Sequence, residues 1–205
     1  MTQLLTAPRV MICWQLQFER ISEQYMNLPN KITTFRFFMI PVFAVILLIR
    51  QPWSDAAALA VFLIAAFSDF LDGYLARKNN MVTDFGKLMD PLADKMLVST
   101  ALICFCAIRD NFPAWCAIII IAREFIISGF RQIAAEKQVI IMASWWGKAK
   151  TVVQMIMCVL FILNINVSWF GIVQAVFMWA ASALTVISLV DYIAKNKNVI
   201  DVTKI

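Results

Sequence analysis

Six long apolar runs, separated by short polar connections, make up most of the sequence after residue 27. Each run is about as long as the roughly 20 residues that an α-helix needs to cross a bilayer. The last run is long enough to continue beyond the membrane. The pattern therefore predicts an all-α integral membrane protein with six transmembrane helices, at roughly 34–50, 56–77, 88–109, 114–133, 146–164 and 168–194.

Residues 1–27 have a different character, because apolar residues there alternate with charged and amide residues. The segment is too polar and too short to cross a bilayer. We expect it to form an interfacial helix along the inner leaflet, with an irregular lead-in as the alternative. The chain then divides into this juxtamembrane segment and one membrane domain over residues 28–205.

The basic residues fall almost entirely on one side of the predicted membrane. Of 18 lysines and arginines, only Arg50 and Arg109 lie on the side opposite the termini. Basic residues are retained on the cytoplasmic side, so both termini are predicted to be cytoplasmic. Hydrophobic residues make up 62% of the chain, and the mean hydropathy is +0.78. The net charge of +5 then reflects topology and anionic headgroups, and gives no reason to expect nucleic-acid binding.

Four aspartates lie beside or within the second and third apolar runs. Asp69 and Asp72 share one face of the second predicted helix, and Asp90 and Asp94 share one face of the third. A carboxylate in hydrocarbon is costly, so such acids indicate a functional site. Oxygen-only ligands suit Mg²⁺ or Mn²⁺, whereas a chain without histidine or a Cys-x-x-Cys pair is a poor zinc protein. Taken as a pair, Asp69 and Asp72 could equally be a solvated cap or half of a salt bridge.

The acids belong to a longer pattern of fixed spacing. It consists of Asp69-x2-Asp72-Gly73-x2-Ala76-Arg77-x8-Gly86-x3-Asp90-x3-Asp94. This pattern matches the signature of the CDP-alcohol phosphotransferase family residue for residue. The sequence therefore resembles integral membrane enzymes that move a phosphatidyl group from a CDP-lipid to an alcohol and release CMP. The resemblance implies two divalent ions held by the four aspartates, Asp94 as the proton acceptor, and a homodimer.

The residues themselves and the resemblance together suggest a binding site for the CDP-lipid, which donates the phosphatidyl group. Gly73 and Gly86 lack a Cβ, so a bulky ligand can approach the backbone, and Arg77 offers a fork for phosphate oxygens. Structural capping is the alternative for Asn30 and Thr33, which follow the helix breaker Pro29, and for Thr83. The resemblance implies that the CDP-lipid is contacted by Asn30, Lys31, Ile32, Thr33, Asp69, Gly73, Ala76, Arg77 and Thr83.

A second group of basic residues indicates an anion site. Arg123 and Arg131 lie on one face of the fourth predicted helix, and Lys148 and Lys150 lie at the start of the fifth. Lysines at a helix end are often only topology signals, and Lys150 alone would be interpreted that way. A phosphate on the acceptor alcohol would need several cations, and these four can supply them. The stretches around them resemble the bacterial family members that act on glycerol 3-phosphate: Ala122-Arg123-Glu124 and Gly147-Lys148-x-Lys150-Thr151-x2-Gln154.

The resemblance thus implies an enzyme of phosphatidylglycerol and cardiolipin synthesis in the bacterial inner membrane, with its site facing the cytoplasm. It would transfer the phosphatidyl group of CDP-diacylglycerol to the 1-hydroxyl of glycerol 3-phosphate, giving phosphatidylglycerophosphate and CMP. A cardiolipin synthase or an inositol-phosphate transferase of the same superfamily is the alternative. A cation transporter that uses the four acids as a relay is a more distant one.

Overall fold

A computed structural model of the protein describes residues 28–79, 84–136, 144–165, 167 and 169–196. The side chains at 28–33, 69–79, 84–91, 94, 135 and 136 are not part of that description. The predicted interfacial helix in residues 1–27 lies outside it. Within the described residues the fold is entirely helical, with α1 Leu28–Leu48, α2 Ser54–Asn79, α3 Asp84–Ile108, α4 Ala114–Glu136, α5 Trp145–Leu163 and α6 Phe170–Lys195.

These helices match the six predicted apolar runs, and most bounds agree to within about one helical turn. The largest difference is at α1, which already includes residues 28–33. The expectation that Asn30 or Thr33 caps this helix is therefore wrong, because both lie inside it. Pro29 does not prevent this, since proline is tolerated in the first turn, where backbone N–H groups have no helical partner.

The outside of the described bundle is more apolar than the surface of a water-soluble protein. Large apolar side chains such as Phe38, Ile118 and Ile172 lie on the outside, each more than 60% exposed. The interior is mostly apolar but also buries several polar and charged side chains between the helices. An apolar exterior with polar side chains kept inside is the arrangement that a hydrocarbon solvent favours. The buried polar set includes Arg36, Arg123, Lys150, Gln154, Gln174, Ser182, Thr185 and Ser188.

Two helices, α5 and α6, are long and apolar enough to cross a membrane by length and composition. The described apolar stretches of the first three helices are shorter, at Thr34–Leu48, Ser54–Ser68 and Lys95–Ile108. The structure therefore supports a membrane protein.

A group of polar contacts joins the C-terminal ends of α3 and α5 to the start of α2. Arg109 donates from Nη2 to Asp55 Oδ1 at 2.8 Å, and from Nε and Nη2 to the carbonyls of Phe161 and Ile162 at 3.1 and 3.2 Å. Arg50 donates to the carbonyl of Ala107 at 2.7 Å. The last carbonyls of a helix have no partner within it. The two basic residues predicted on the outer side therefore satisfy the C-terminal ends of α5 and α3.

Candidate active site

The two halves of the aspartate signature lie on consecutive helices. Residues 69–77 form the last turns of α2, and residues 86–94 form the first turns of α3. Only residues 80–83 separate the two helices, so both halves lie at the same end of the bundle. Helix α3 continues through Pro91, so the i, i+4 spacing of Asp90 and Asp94 is a helical one. How close the four carboxylates approach stays a prediction, because their side chains are not described.

Of the predicted CDP-lipid contacts, the structure describes only backbone positions. Residues 30–33 lie in the first turns of α1, and Gly73, Ala76 and Arg77 lie in α2. Thr83 lies outside the described residues. The assignment of these positions to the CDP-lipid therefore stays a prediction.

Charged side chains from α4 and α5 meet inside the bundle. Lys150 Nζ and Arg123 Nη1 both donate to the same oxygen of Glu124, Oε1, the arginine at 3.3 Å. Lys150 is 1% exposed and Arg123 is 8% exposed, while the Glu124 side chain retains 19% exposure. We call these three residues the charged triad. The triad contains one guanidinium, one ammonium and one carboxylate group, so it has one excess positive charge.

The remaining contacts of the triad fix the Arg123 guanidinium. Its Nε donates to Ser188 Oγ on α6 at 3.1 Å. A Cβ placed on Gly147 would lie 3.6 Å from Arg123 Nη2, so the start of α5 passes close beside the guanidinium. That start is capped by Ser144, whose Oγ accepts from the Gly147 N–H at 3.2 Å. Three helices therefore position one arginine.

The other two predicted phosphate ligands lie on the surface. Lys148 is exposed, with Nζ 5.6 Å from the ring centroid of Trp145. Arg131 is exposed too, although it was predicted to lie on the same inward face as Arg123. It comes two turns after Arg123, near the end of α4. Lys150, which alone would be interpreted as a topology signal at a helix end, is instead buried and paired with Glu124.

Sequence reasoning gave no role to Glu124 or to the polar residues of α6. Glu124 could have been found from the rule that an acid within an apolar run needs a function or a partner. On α6, Ser182, Thr185, Ser188 and Tyr192 follow one another at intervals of three or four residues. That spacing places them on one face, and all four are buried.

Comparison with known proteins decides the family. The profile described as CDP-alcohol phosphatidyltransferase matches residues 26–187, which include both halves of the aspartate signature and the charged triad. The chain belongs to this family. Membership confirms the resemblance inferred from the signature, and members of this family generally depend on a divalent metal ion.

Several curated bacterial proteins of the family are similar to the chain over most of their length. All three described here are named CDP-diacylglycerol--glycerol-3-phosphate 3-phosphatidyltransferase. The protein from Bacillus subtilis is 41% identical over 186 residues, covering 83% of this chain and 95% of the relative. Those from Rickettsia bellii and Shigella flexneri serotype 5b are 37% and 36% identical, covering 81% and 82% of this chain and 93% of each relative.

Proposed function

We propose that the protein transfers the phosphatidyl group of CDP-diacylglycerol to the 1-hydroxyl of sn-glycerol 3-phosphate, giving phosphatidylglycerophosphate and CMP. The names of the similar bacterial proteins support this reaction. The observation that supports a phosphorylated acceptor most directly is the buried charged triad. A phosphorylated alcohol needs a cationic site below the surface, whereas an uncharged alcohol would gain nothing from it.

In this proposal Arg123 and Lys150 bind the phosphate of the acceptor. Both are buried and both already donate to a carboxylate oxygen, so their donor groups are placed for an anionic oxygen. Arg131 and Lys148 are exposed and would attract the phosphate towards the site. Opposite charges at 4 Å interact by about 4 kcal/mol at an effective dielectric constant of about 20, and by less where water screens them. The buried Arg123 and Lys150 should therefore contribute more to phosphate binding than the exposed pair.

The divalent ions would be held by the aspartates of the signature. Oxygen ligands on two adjacent helix ends suit Mg²⁺ or Mn²⁺, and two ions are proposed. When bound, the ions would neutralise charge on the pyrophosphate and on the departing CMP. The proposed ligands are Asp69, Asp72, Asp90 and Asp94.

The CDP-lipid would lie along the same end of the bundle. Gly73 lets it approach the backbone of α2, and its acyl tails can remain in the leaflet beside the apolar exterior. The proposed contacts are Asn30, Lys31, Ile32, Thr33, Asp69, Gly73, Ala76, Arg77 and Thr83.

The chemical step we propose is a direct displacement. The 1-hydroxyl of glycerol 3-phosphate attacks the phosphatidyl phosphorus while Asp94 accepts its proton. The new phosphorus–oxygen bond forms as the bond to the CMP oxygen breaks. No covalent enzyme intermediate is required. Arg123 and Lys150 act by orienting the acceptor for this attack.

The proposed setting is a bacterial inner membrane. Six transmembrane helices with both termini in the cytoplasm would place the signature and the triad at the cytoplasmic face, where glycerol 3-phosphate is available. The same topology places Arg50 and Arg109 on the opposite face. A homodimer is proposed by analogy with the family.

The test is CMP release by purified protein in detergent with CDP-diacylglycerol, Mg²⁺ or Mn²⁺, and one acceptor at a time. We expect release with glycerol 3-phosphate, and its loss in Asp94→Asn. The matched control is Asp110→Asn, which changes an exposed acid in the outer connection and should retain activity. Release only with phosphatidylglycerol or inositol phosphate would contradict the acceptor, and full turnover of Asp94→Asn would contradict the base.

A further inference from the structure

Tyr192 has a buried hydroxyl that lacks a hydrogen-bond partner among the described residues. The residue lies in the last turns of α6 and is 4% exposed. A buried hydroxyl without a partner destabilises a folded protein. Such a group is therefore a candidate for contact with a ligand.

The position of Tyr192 directs its hydroxyl to the charged triad. Tyr192 lies four residues after Ser188, so the two share one face of α6. Long side chains on a helix point towards its N-terminus, which brings the phenol over the turn of Ser188. Ser188 Oγ accepts from Arg123 Nε at 3.1 Å. Tyr192 therefore lies on the face of α6 that Arg123 contacts through Ser188.

We propose that Tyr192 donates a hydrogen bond to the phosphate of the acceptor alcohol and is a third phosphate ligand beside Arg123 and Lys150. This inference rests on the proposed function. The three donors come from α6, α4 and α5, so they can surround one phosphate group. A phenol is a suitable third donor, because it adds a hydrogen bond to an anionic oxygen without adding another positive charge to the site.

If Tyr192 binds the phosphate, Tyr192→Phe should weaken acceptor binding without lowering the stability of the protein. The substitution retains the ring and its packing and removes only the hydroxyl. Because that hydroxyl has no partner among the described residues, the unliganded variant should unfold at the same temperature as the original protein or a higher one. Its KM for glycerol 3-phosphate should nevertheless rise about tenfold, the value of one hydrogen bond to a charged group.

The experiment compares Tyr192→Phe with Ser182→Ala on the same helix. Ser182 is also buried, but its hydroxyl donates to the Met178 carbonyl at 2.9 Å and contacts Cys116 Sγ at 3.2 Å. The control should therefore lower thermal stability and leave KM for glycerol 3-phosphate unchanged. We would measure unfolding temperature, and KM for glycerol 3-phosphate and for CDP-diacylglycerol separately, on full-length protein in detergent.

A rise in the acceptor KM alone, with an unchanged donor KM and undiminished stability, would support a phosphate contact. An unchanged acceptor KM in Tyr192→Phe would refute this inference and leave the proposed reaction standing. A parallel rise in both KM values with a lower unfolding temperature would refute it too, as a packing effect. If the unsubstituted protein released no CMP with glycerol 3-phosphate, the proposed function would fail and this inference with it.

Discussion

Replacement of Glu124 by glutamine tests the charged triad most directly. The substitution retains the size of the side chain and removes the one negative charge on which Arg123 and Lys150 converge. Two buried cations then face a neutral amide. Breaking a buried ion pair by removing one partner costs about 3–5 kcal/mol. Because Glu124 retains 19% exposure, we expect a loss of about 3 kcal/mol, at the lower end of that range.

For a chain of this length, a loss of about 3 kcal/mol lowers the unfolding temperature by roughly 6–12 °C. The assay is thermal unfolding in detergent, with and without glycerol 3-phosphate. A bound phosphate restores the missing negative charge. Glycerol 3-phosphate should therefore raise the unfolding temperature of Glu124→Gln more than that of the unsubstituted protein, since binding to the folded state alone stabilises it.

The matched control is Asp191→Asn. Asp191 has the same side-chain exposure as Glu124, 19%, but its partner Lys195 is 65% exposed and lies one turn away on α6. Such a pair contributes less than about 1 kcal/mol. If Glu124→Gln lost no more stability than Asp191→Asn, the buried triad would not have the energetic role described here. If glycerol 3-phosphate stabilised Glu124→Gln and the unsubstituted protein equally, the triad would not be the phosphate site.

Three further predictions concern the acceptor site, the contacts of Arg109 and Arg50, and the metal site. Lys150→Met should raise KM for glycerol 3-phosphate about 10- to 100-fold by removing a buried charged donor, whereas the exposed Lys148→Met should have a smaller effect; equal effects in acceptor kinetics would contradict this. Arg109→Ala should lower the free energy of unfolding by about 2–3 kcal/mol and Arg50→Ala by less than about 1 kcal/mol. The reason is that Arg109 donates to three acceptors, whereas the exposed Arg50 donates to one. Chemical denaturation of both variants measures the difference. Chelation by EDTA should abolish CMP release and Mg²⁺ or Mn²⁺ should restore it; activity that survives chelation would refute metal dependence.

Much of the fold could be predicted from the sequence, because helix length in a membrane protein follows from bilayer thickness. Six apolar runs gave six helices, and the fixed spacing of the aspartate signature led to the family. The start of α1 was misplaced, because Pro29 was interpreted as a helix breaker although the first turn of a helix tolerates proline. Arg131 is exposed although its spacing from Arg123 predicted an inward position, because burial depends on which neighbours cover a given turn.

The sequence by itself determined the helical class and the residue types available for chemistry, since both depend on local composition and spacing. Only the tertiary structure decided which cations are buried together. Arg123, Glu124, Lys150 and Ser188 meet across three helices, and residues 65 positions apart in the chain are brought together by helix packing alone. Lys148 and Lys150, two residues apart on α5, point about 200° apart, and the packing of the neighbouring helices decided which of the two is buried.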